Sequence, residues 1–490
     1  MRILFVSHNF LPKHPAGTEI YTFQCGRALA ERGHEVHVFT TEKDIGRKHL
    51  TVNVREYEGL PVHELVNNLF YKDFRSTWDN PAIARTFADF LDDLKPDVVH
   101  FMHLMYLSVG CLEEAAKRAP VFYTLHDYWL QCARFGQRVH ADRSICHTID
   151  TDRCGRCMVD FKFRQSDTQR RMAKVIAAVN GATGIDLGPA ARRFEARLQP
   201  SKGALEQAPP GSLRMPDGTE QAPVAAEPLT PEEQVMADSI RERDEALRAR
   251  ILPAVTRFIA PSRFLRGSFV EWGIPEQQIL HMRTGIDLRR FEGLERRRGE
   301  KLRVGFIGTI VPHKGLHVLL QAWQQLPADL RAKAELAVYG PTEHNPPYVR
   351  AVRELATSMG VPLRGRLKAG DVAEILRGVD LLVVPSVWYE NSPLIILEAL
   401  ATRTPLMVSN LGGMAELVEP EVTGFRFEVG DPRDLGHRLR LILEEPGQLE
   451  ALYPDHKQIR SAEDDAEALE ELYGAALRGT VDQVVIGGPG

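Results

Sequence analysis

The sequence predicts an α/β protein made of two doubly wound, parallel-sheet domains in tandem, and three observations lead there. Short apolar runs alternate with amphipathic stretches from residue 2 to 125, the alternation restarts at Leu302, and between about 130 and 250 it breaks. Buried strands alternating with helices give a parallel sheet covered on both faces. A chain of 490 residues also exceeds what one ordinary core can fill.

The elements follow in order. Residues 2–7 read as a buried strand, Tyr21 to Arg32 as an amphipathic helix stopped by Gly33, and Glu35 to Thr40 as a second strand, which completes a βαβ unit. A helical pattern over 82–94, a strand Asp97 to Phe101, a helix over 110–118 and a strand Val121 to Leu125 continue it. The break at 130–250 reads as an irregular insertion. Its stretch from Glu206 to Pro231 holds six prolines and few large apolar groups, so it is expected to be flexible. Thr230-Pro231-Glu232-Glu233 spells a capping box with proline at the first helical position, opening a helix to about Leu252. Leu302 to Gly308 begins the second sheet, with further strands near 335–339, 381–384, 405–409 and 425–429. The expected division is residues 1–295, 296–445, and a helical segment and tail over 446–490.

Composition narrows the function classes. The chain is 43% hydrophobic and 26% charged with a formal net charge of -5, so its overall balance does not suit a nucleic-acid backbone. Only four consecutive apolar residues follow Arg2, too few for a signal peptide, and no run approaches the roughly 20 apolar residues of a membrane span. A cytoplasmic protein is expected, touching the inner face of a membrane peripherally at most. Residues 162–202 carry nine Lys or Arg against three Asp or Glu, interleaved with Phe163 and Phe194, and could meet anionic lipid head groups.

The chemistry concentrates between Gly308 and Glu398. Pro385 to Leu400 follows a strand and opens a helix, with Ser392 expected as cap, Pro393 in the first turn and Asn391 and Leu394 beside them. The unpaired amides of such a helix start attract anions. Glu398 lies inside an otherwise apolar helix, where an ionised carboxylate needs partners, and two ribose hydroxyls would supply them. Glu390, in the loop ahead, could hold hydroxyls of a transferred sugar. Gly308 to Gly315 is a second strand-to-helix turn, and Lys314 just ahead of its helix opposes the helix dipole unless an anion such as a diphosphate lies between them. Gly308 and Gly315 would allow close backbone approach.

The spacing of Glu390 and Glu398, Lys314-Gly315, Gly412-Gly413 ahead of Met414-Ala-Glu-Leu417, Ala260-Pro-Ser262 and Thr284-Gly-Ile-Asp287 together resemble family 4 of the retaining glycosyltransferases. The resemblance covers most of the chain outside the insertion. It implies the GT-B fold, two Rossmann-like domains facing a cleft, with a UDP- or GDP-sugar as donor and a glycan or lipid-linked acceptor, as in cell-surface polysaccharide or glycoconjugate synthesis. Ala16-Gly17-Thr18-Glu19 is similar to the family's glycine-rich loop, and His126 matches the histidine kept near the transferred sugar, with His103 a second cleft candidate. Where the family usually has arginine this sequence has Thr309. The implied catalytic set is His126, Lys314 and Glu390, acting by retention without a protein nucleophile or a catalytic metal. A nucleotide-sugar-binding scaffold and a sugar-nucleotide epimerase would share the fold.

Cys132, Cys146, Cys154 and Cys157 fall within 26 residues, and the last two have the spacing that lets one turn direct both thiolates at an ion. They are expected to bind one structural zinc, with His140 or His147 able to replace a ligand. Asp150-Thr-Asp152 spells a metal motif of another glycosyltransferase fold but reads as a chance match.

Overall fold

The computed structural model describes residues 1–163, eight positions between 167 and 179 (167, 171–172, 174–176 and 178–179), and residues 228–297, 299–368, 370–452 and 459–484. Residues 206–227 of the stretch expected to be flexible, and most of the basic segment over 162–202, lie outside the described residues. Among the described residues no helix is long and apolar enough to cross a membrane.

The fold is the expected GT-B arrangement. The first sheet contains β1 (Arg2–Val6), β2 (Glu35–Glu42), β3 (Val52–Tyr57), β4 (Leu60–Val66), β5 (Val98–Phe101), β6 (Val121–Thr124), β7 (Arg257–Ala260) and β8 (Ile279–His281). Their order is β3-β4-β2-β1-β5-β6-β7-β8, parallel except for the β3–β4 hairpin at the edge. The second sheet contains β9 (Leu302–Ile307), β10 (Ala334–Tyr339), β11 (Leu381–Val384), β12 (Leu406–Ser409) and β13 (Gly424–Phe427), all parallel in the order β10-β9-β11-β12-β13.

The two-residue period of a strand sends alternate side chains to opposite faces, so both faces of the first sheet need cover. Ile3 and Phe5 join a core with Cys25 and Leu29 of the helix Gly17–Glu31 and with Leu469 and Tyr473 of the helix Ala462–Leu477. Leu4 and Val6 join the opposite core with Phe87, Leu112, Leu247 and Ile251, from the helices Pro81–Leu94, Val109–Ala116 and Pro231–Ala254. The C-terminal helix thus completes the first domain.

The capping box forms as expected, with Thr230 Oγ1 accepting from Glu233 N and Glu233 Oε2 accepting from Thr230 N. Two expectations shift. The first helix begins at Gly17, a turn before Tyr21, because Glu19 and its neighbours are helical although they lack an apolar period. The insertion contains a short helix, Thr151–Met158, whose N-cap is Asp150 accepting from Asp152 N and Arg153 N. Capping is what the Asp-Thr-Asp sequence does here. Buried Arg243 donates to the carbonyls of Trp129 and Leu130 and lies 4.7 Å from the centre of the Trp129 indole, pinning the start of the insertion to the helix Pro231–Ala254.

Candidate active site

In each sheet the order reverses between two parallel neighbours, β1 and β5 in the first and β9 and β11 in the second. Ligands of open parallel sheets bind outside the carboxyl ends of strands at such a switch point. The motif residues lie there.

After β9 the chain makes a tight turn over Pro312–Lys314, and Gly315, at φ 70°, caps the helix Leu316–Gln325 without a side-chain hydrogen bond. A Cβ on Gly315 would stand 1.7 Å from the Pro385 carbonyl oxygen. The close approach that only glycine permits here is therefore between the two donor loops, which are also joined by Val387 N donating to His313 O at 2.9 Å. Gly308 follows β9 with only Phe306 near its missing Cβ, and Thr309 is partly exposed beside it.

This packing brings together two side chains 76 residues apart. Lys314 Nζ donates to Glu390 Oε1 at 2.5 Å, and Ser386 Oγ donates to the same oxygen at 3.0 Å. The Lys314 ammonium also lies 5.2 Å from the Trp388 ring centre. Burial pushes the Glu390 carboxyl up, but the Lys314 charge and hydrogen bonds from Lys314 and Ser386 hold it below the usual carboxylate range. The sequence reading gave these residues separate ligand groups; the structure pairs them.

The capping role expected of Ser392 is not found. The helix runs Leu394–Ala401 with Pro393 as N-cap and no side-chain cap, and Ser392 Oγ is buried without a hydrogen bond. Proline occupies the cap itself, so no side chain reaches the first-turn amides, and they are left for an anion. Glu398, the fifth residue of this helix, is partly exposed, and burial by its apolar neighbours pushes it up to about 7, with Arg290 pulling the other way.

Across the cleft, Asn391 Nδ2 donates to the His126 carbonyl at 2.8 Å, joining the donor loop to the end of β6. The His126 ring packs against Tyr21 at 5.3 Å, its Nε2 is buried without a partner, and burial pushes it down to about 3, so it is neutral. His103 follows β5 and is bonded through Nε2 to Asp127 Oδ2 at 2.9 Å. Gly17 faces open space, with no atom within 4 Å of its missing Cβ. A Cβ on Gly413 would stand 2.1 Å from the Asn391 carbonyl oxygen and 2.7 Å from Ser262 Oγ, so three of the recognised motifs meet at one point.

The seam around Tyr389 was not read from the sequence. His147 Nδ1 lies 2.5 Å from Tyr389 Oη, Phe264 stacks on the same ring at 5.0 Å, and Arg138 lies 5.6 Å from its centre. The aromatic pair Trp388-Tyr389 ahead of Glu390 was the available signal for a packed loop, whereas nothing local marks a partner 242 residues away.

All four cysteines of the insertion are free thiols. Burial and the neighbouring thiols push Cys146 up to about 12 and Cys154 higher still, with the charge of Arg138 opposing at Cys146. Among the described residues no group of three or more His, Cys, Asp or Glu side chains is disposed to hold a metal ion.

Comparison with known proteins agrees with this architecture. The family "Glycosyltransferase Family 4" matches residues 15–153, and "Glycosyl transferases group 1" matches residues 291–459. The chain is 34% identical over 182 residues to D-inositol 3-phosphate glycosyltransferase of Rhodococcus opacus, a match covering 35% of this chain and 41% of that protein. It is 28% identical over 207 residues to glycogen synthase of Mycobacterium tuberculosis, covering 41% of this chain and 50% of that protein. The matched segments thus span about half or less of these relatives. Among solved structures, sucrose-phosphate synthase from Thermosynechococcus elongatus superposes with a TM-score of 0.62 at 16% identity, covering 98% of this chain and 99% of that one. Anabaena HepE in complex with UDP and glucose gives 0.58 at 14% identity, covering 97% and 100%. The chain belongs to the family 4 glycosyltransferases of GT-B fold.

Proposed function

We propose that the protein transfers a hexose from a nucleotide-sugar donor to a hydroxyl-bearing acceptor with retention of configuration, in the synthesis of a cell-surface polysaccharide or glycoconjugate. The observation that carries this reading is the Lys314–Glu390 pair at the second switch point, beside the uncapped start of the helix Leu394–Ala401. Lys314 and the helix amides suit a diphosphate, Glu398 suits ribose hydroxyls, and Glu390, Asn391 and His126 border the space left for the sugar. Retention follows if the departing diphosphate takes the acceptor's proton on the face it leaves, while Lys314 and the amides stabilise its growing charge. The name of the Rhodococcus relative makes an inositol phosphate one acceptor to try.

A thermal-shift screen with UDP-, GDP- and ADP-sugars tests the donor, since a ligand at a hundredfold excess over its Kd adds about 2.7 kcal/mol of stability. Nucleotide release that accelerates on adding acceptor separates transfer from epimerisation and from passive binding.

Glu398→Gln has two expected effects of opposite sign. It weakens nucleotide-sugar binding by about tenfold or more, because an amide nitrogen replaces an acceptor oxygen facing hydroxyls. It also stabilises the unliganded protein. With its carboxyl raised to about 7, Glu398 binds a proton in the folded state that the unfolded chain releases near its ordinary value. Stability is therefore lost as pH rises from the ordinary carboxylate range through 7. The variant should gain roughly 1 kcal/mol at pH 8 and nothing at pH 4, a modest figure because the group is partly exposed. Melting curves at the two pH values check this.

Zinc at Cys132, Cys146, Cys154 and Cys157 stays a proposal resting on the spacing of the four cysteines in the sequence. Near-stoichiometric zinc in purified protein, lost with stability in Cys154→Ser/Cys157→Ser, is the expected result.

A further inference from the structure

A cavity of about 250 Å³ lies at the junction of the two domains. Arg283 and Thr284, just after β8, line it from the first domain, and Arg426 of β13 lines it from the second. Arg460, on the crossover into the helix Ala462–Leu477, stands between them. Leu397 and Leu400 of the helix Leu394–Ala401 also line it; three residues apart, they share a helix face that Glu398 does not. Neither Lys314 nor Glu390 nor Glu398 lines it, so the cavity is separate from the donor site.

Three guanidinium groups converge here in a chain of formal net charge -5. Arg460 is spoken for, since its Nε donates to buried Asp465 at 2.7 Å and its Nη2 to the Asp464 carbonyl at 3.1 Å. Arg426 is aimed but not neutralised: its Nε donates to the Val418 carbonyl at 2.8 Å, and no carboxylate pairs with it among the described residues. Arg283 has neither an ion pair nor a side-chain hydrogen bond among the described residues, although it is half-buried. Its backbone is fixed against the crossover, with Ile286 N donating to Arg460 O at 3.1 Å and Ala462 N to Ile286 O at 2.9 Å. Two carboxylates also line the cavity, and neither closes the account. Glu416 accepts from the amides of Arg263 and Phe264 at the start of the helix Arg263–Trp272, and Glu419 is exposed and pairs with none of the three arginines. The surplus is felt nearby at His281, which burial first, and then the charges of Arg263, Arg283 and Arg266, push down to about 4.

We propose that this cavity seats a phosphate group gripped from both domains, by Arg283 on one side and Arg426 on the other, with Arg460 as the fixed cation between. Two guanidinium charges without a carboxylate suit a phosphate monoester, which carries about −1.5 to −2 charges and three acceptor oxygens. The planar fork of arginine matches those oxygens two at a time. Leu397 and Leu400 give the carbon body beyond the phosphate an apolar wall. The phosphate belongs to a small free monoester or to the head group of a lipid. The seat stands whether or not the donor reading does.

Titration calorimetry and melting curves with inorganic phosphate and with glycerol 3-phosphate, at ionic strength matched with potassium chloride, test the free source. Co-sedimentation with phosphatidylcholine vesicles, with and without phosphatidic acid, tests the lipid source. Arg283 bonds to nothing in the fold, so Arg283→Gln should melt with the wild type; Arg426→Gln is the second variant. The expected result is that a phosphate probe binds and raises the melting temperature, and that Arg283→Gln and Arg426→Gln each weaken it by about tenfold or more. Lys314→Met, which removes the cation of the donor site, should leave the affinity within about twofold of wild type. Sedimentation with phosphatidic acid alone, lost in Arg283→Gln, assigns the phosphate to a lipid; binding of glycerol 3-phosphate assigns it to a free monoester. The proposal is overturned if no phosphate probe binds in either arm, if binding is unchanged in Arg283→Gln, or if it is lost in Lys314→Met.

Discussion

Lys314→Met is expected to slow sugar transfer by roughly 10²–10³-fold while weakening donor binding by about tenfold at most, because its charge matters most as the diphosphate leaves. Equal losses in the two would make Lys314 a simple binding residue. The same substitution should destabilise the fold. It leaves the Glu390 carboxylate, 8% exposed, without a cation and with only neutral neighbours, Ser386 and the Trp388 indole, to favour its charge. The expected cost is roughly 2–3 kcal/mol, below the figure for a fully buried pair because Lys314 is partly open to water. Its pH dependence has a definite sign. In the wild type Glu390 is held below its ordinary value, so the pair's contribution is present above the unfolded carboxylate range and is lost as pH falls through the depressed one. Without Lys314, burial acts nearly alone and the carboxyl rises, so the deficit should be largest at neutral and alkaline pH and should shrink in acid. Lys314→Met/Glu390→Gln separates the two roles: stability should return in the double variant, and activity should not.

Gly315→Ala is expected to be the most disruptive single change of one methyl group. The added carbon would overlap the Pro385 carbonyl, and φ 70° is a conformation alanine adopts only at a cost. Because the collision is with backbone, either the turn after β9 or the loop after β11 must move, and those two segments position Lys314 and Glu390. A loss of roughly 3 kcal/mol or more is expected, with nucleotide-sugar binding reduced below detection in the thermal-shift screen. Gly17→Ala is the control: its Cβ meets nothing within 4 Å, so it should leave stability nearly unchanged.

How much could be read in advance depends on how local the determinant is. Ile3-Leu-Phe-Val6 and Leu381-Leu-Val-Val384 announce strands buried on both faces, because nothing but a covered parallel sheet accommodates such runs. Edge elements are harder. The β3–β4 hairpin has a solvent-facing side and was missed, although Glu58-Gly59, both at positive φ, marks the turn that closes it. The site divides in the same way. Glu390, Glu398 and Lys314 were legible because each disturbs its surroundings, a charge in an apolar helix or a cation at a helix start. Their mutual arrangement was not, since Lys314 meets Glu390 only because β9 lies beside β11, an order that many topologies of the same elements would not give.

The helix Ala462–Leu477 carries a consequence for how the protein is made. Its Tyr473 Oη lies 2.5 Å from Nδ1 of His100 in β5, and its Leu469 and Leu472 are buried in the same core as Ile3 and Phe5. During synthesis the first domain leaves the ribosome early, with one face of its sheet covered only in part, by the helix Gly17–Glu31, and stays so until more than 300 further residues have been added after β5. The second domain has all five strands in hand before that gap is closed. Of the two domains, the one translated first is therefore the one finished last, and exposure of its unfinished sheet to chaperones should persist until the helix Ala462–Leu477 emerges.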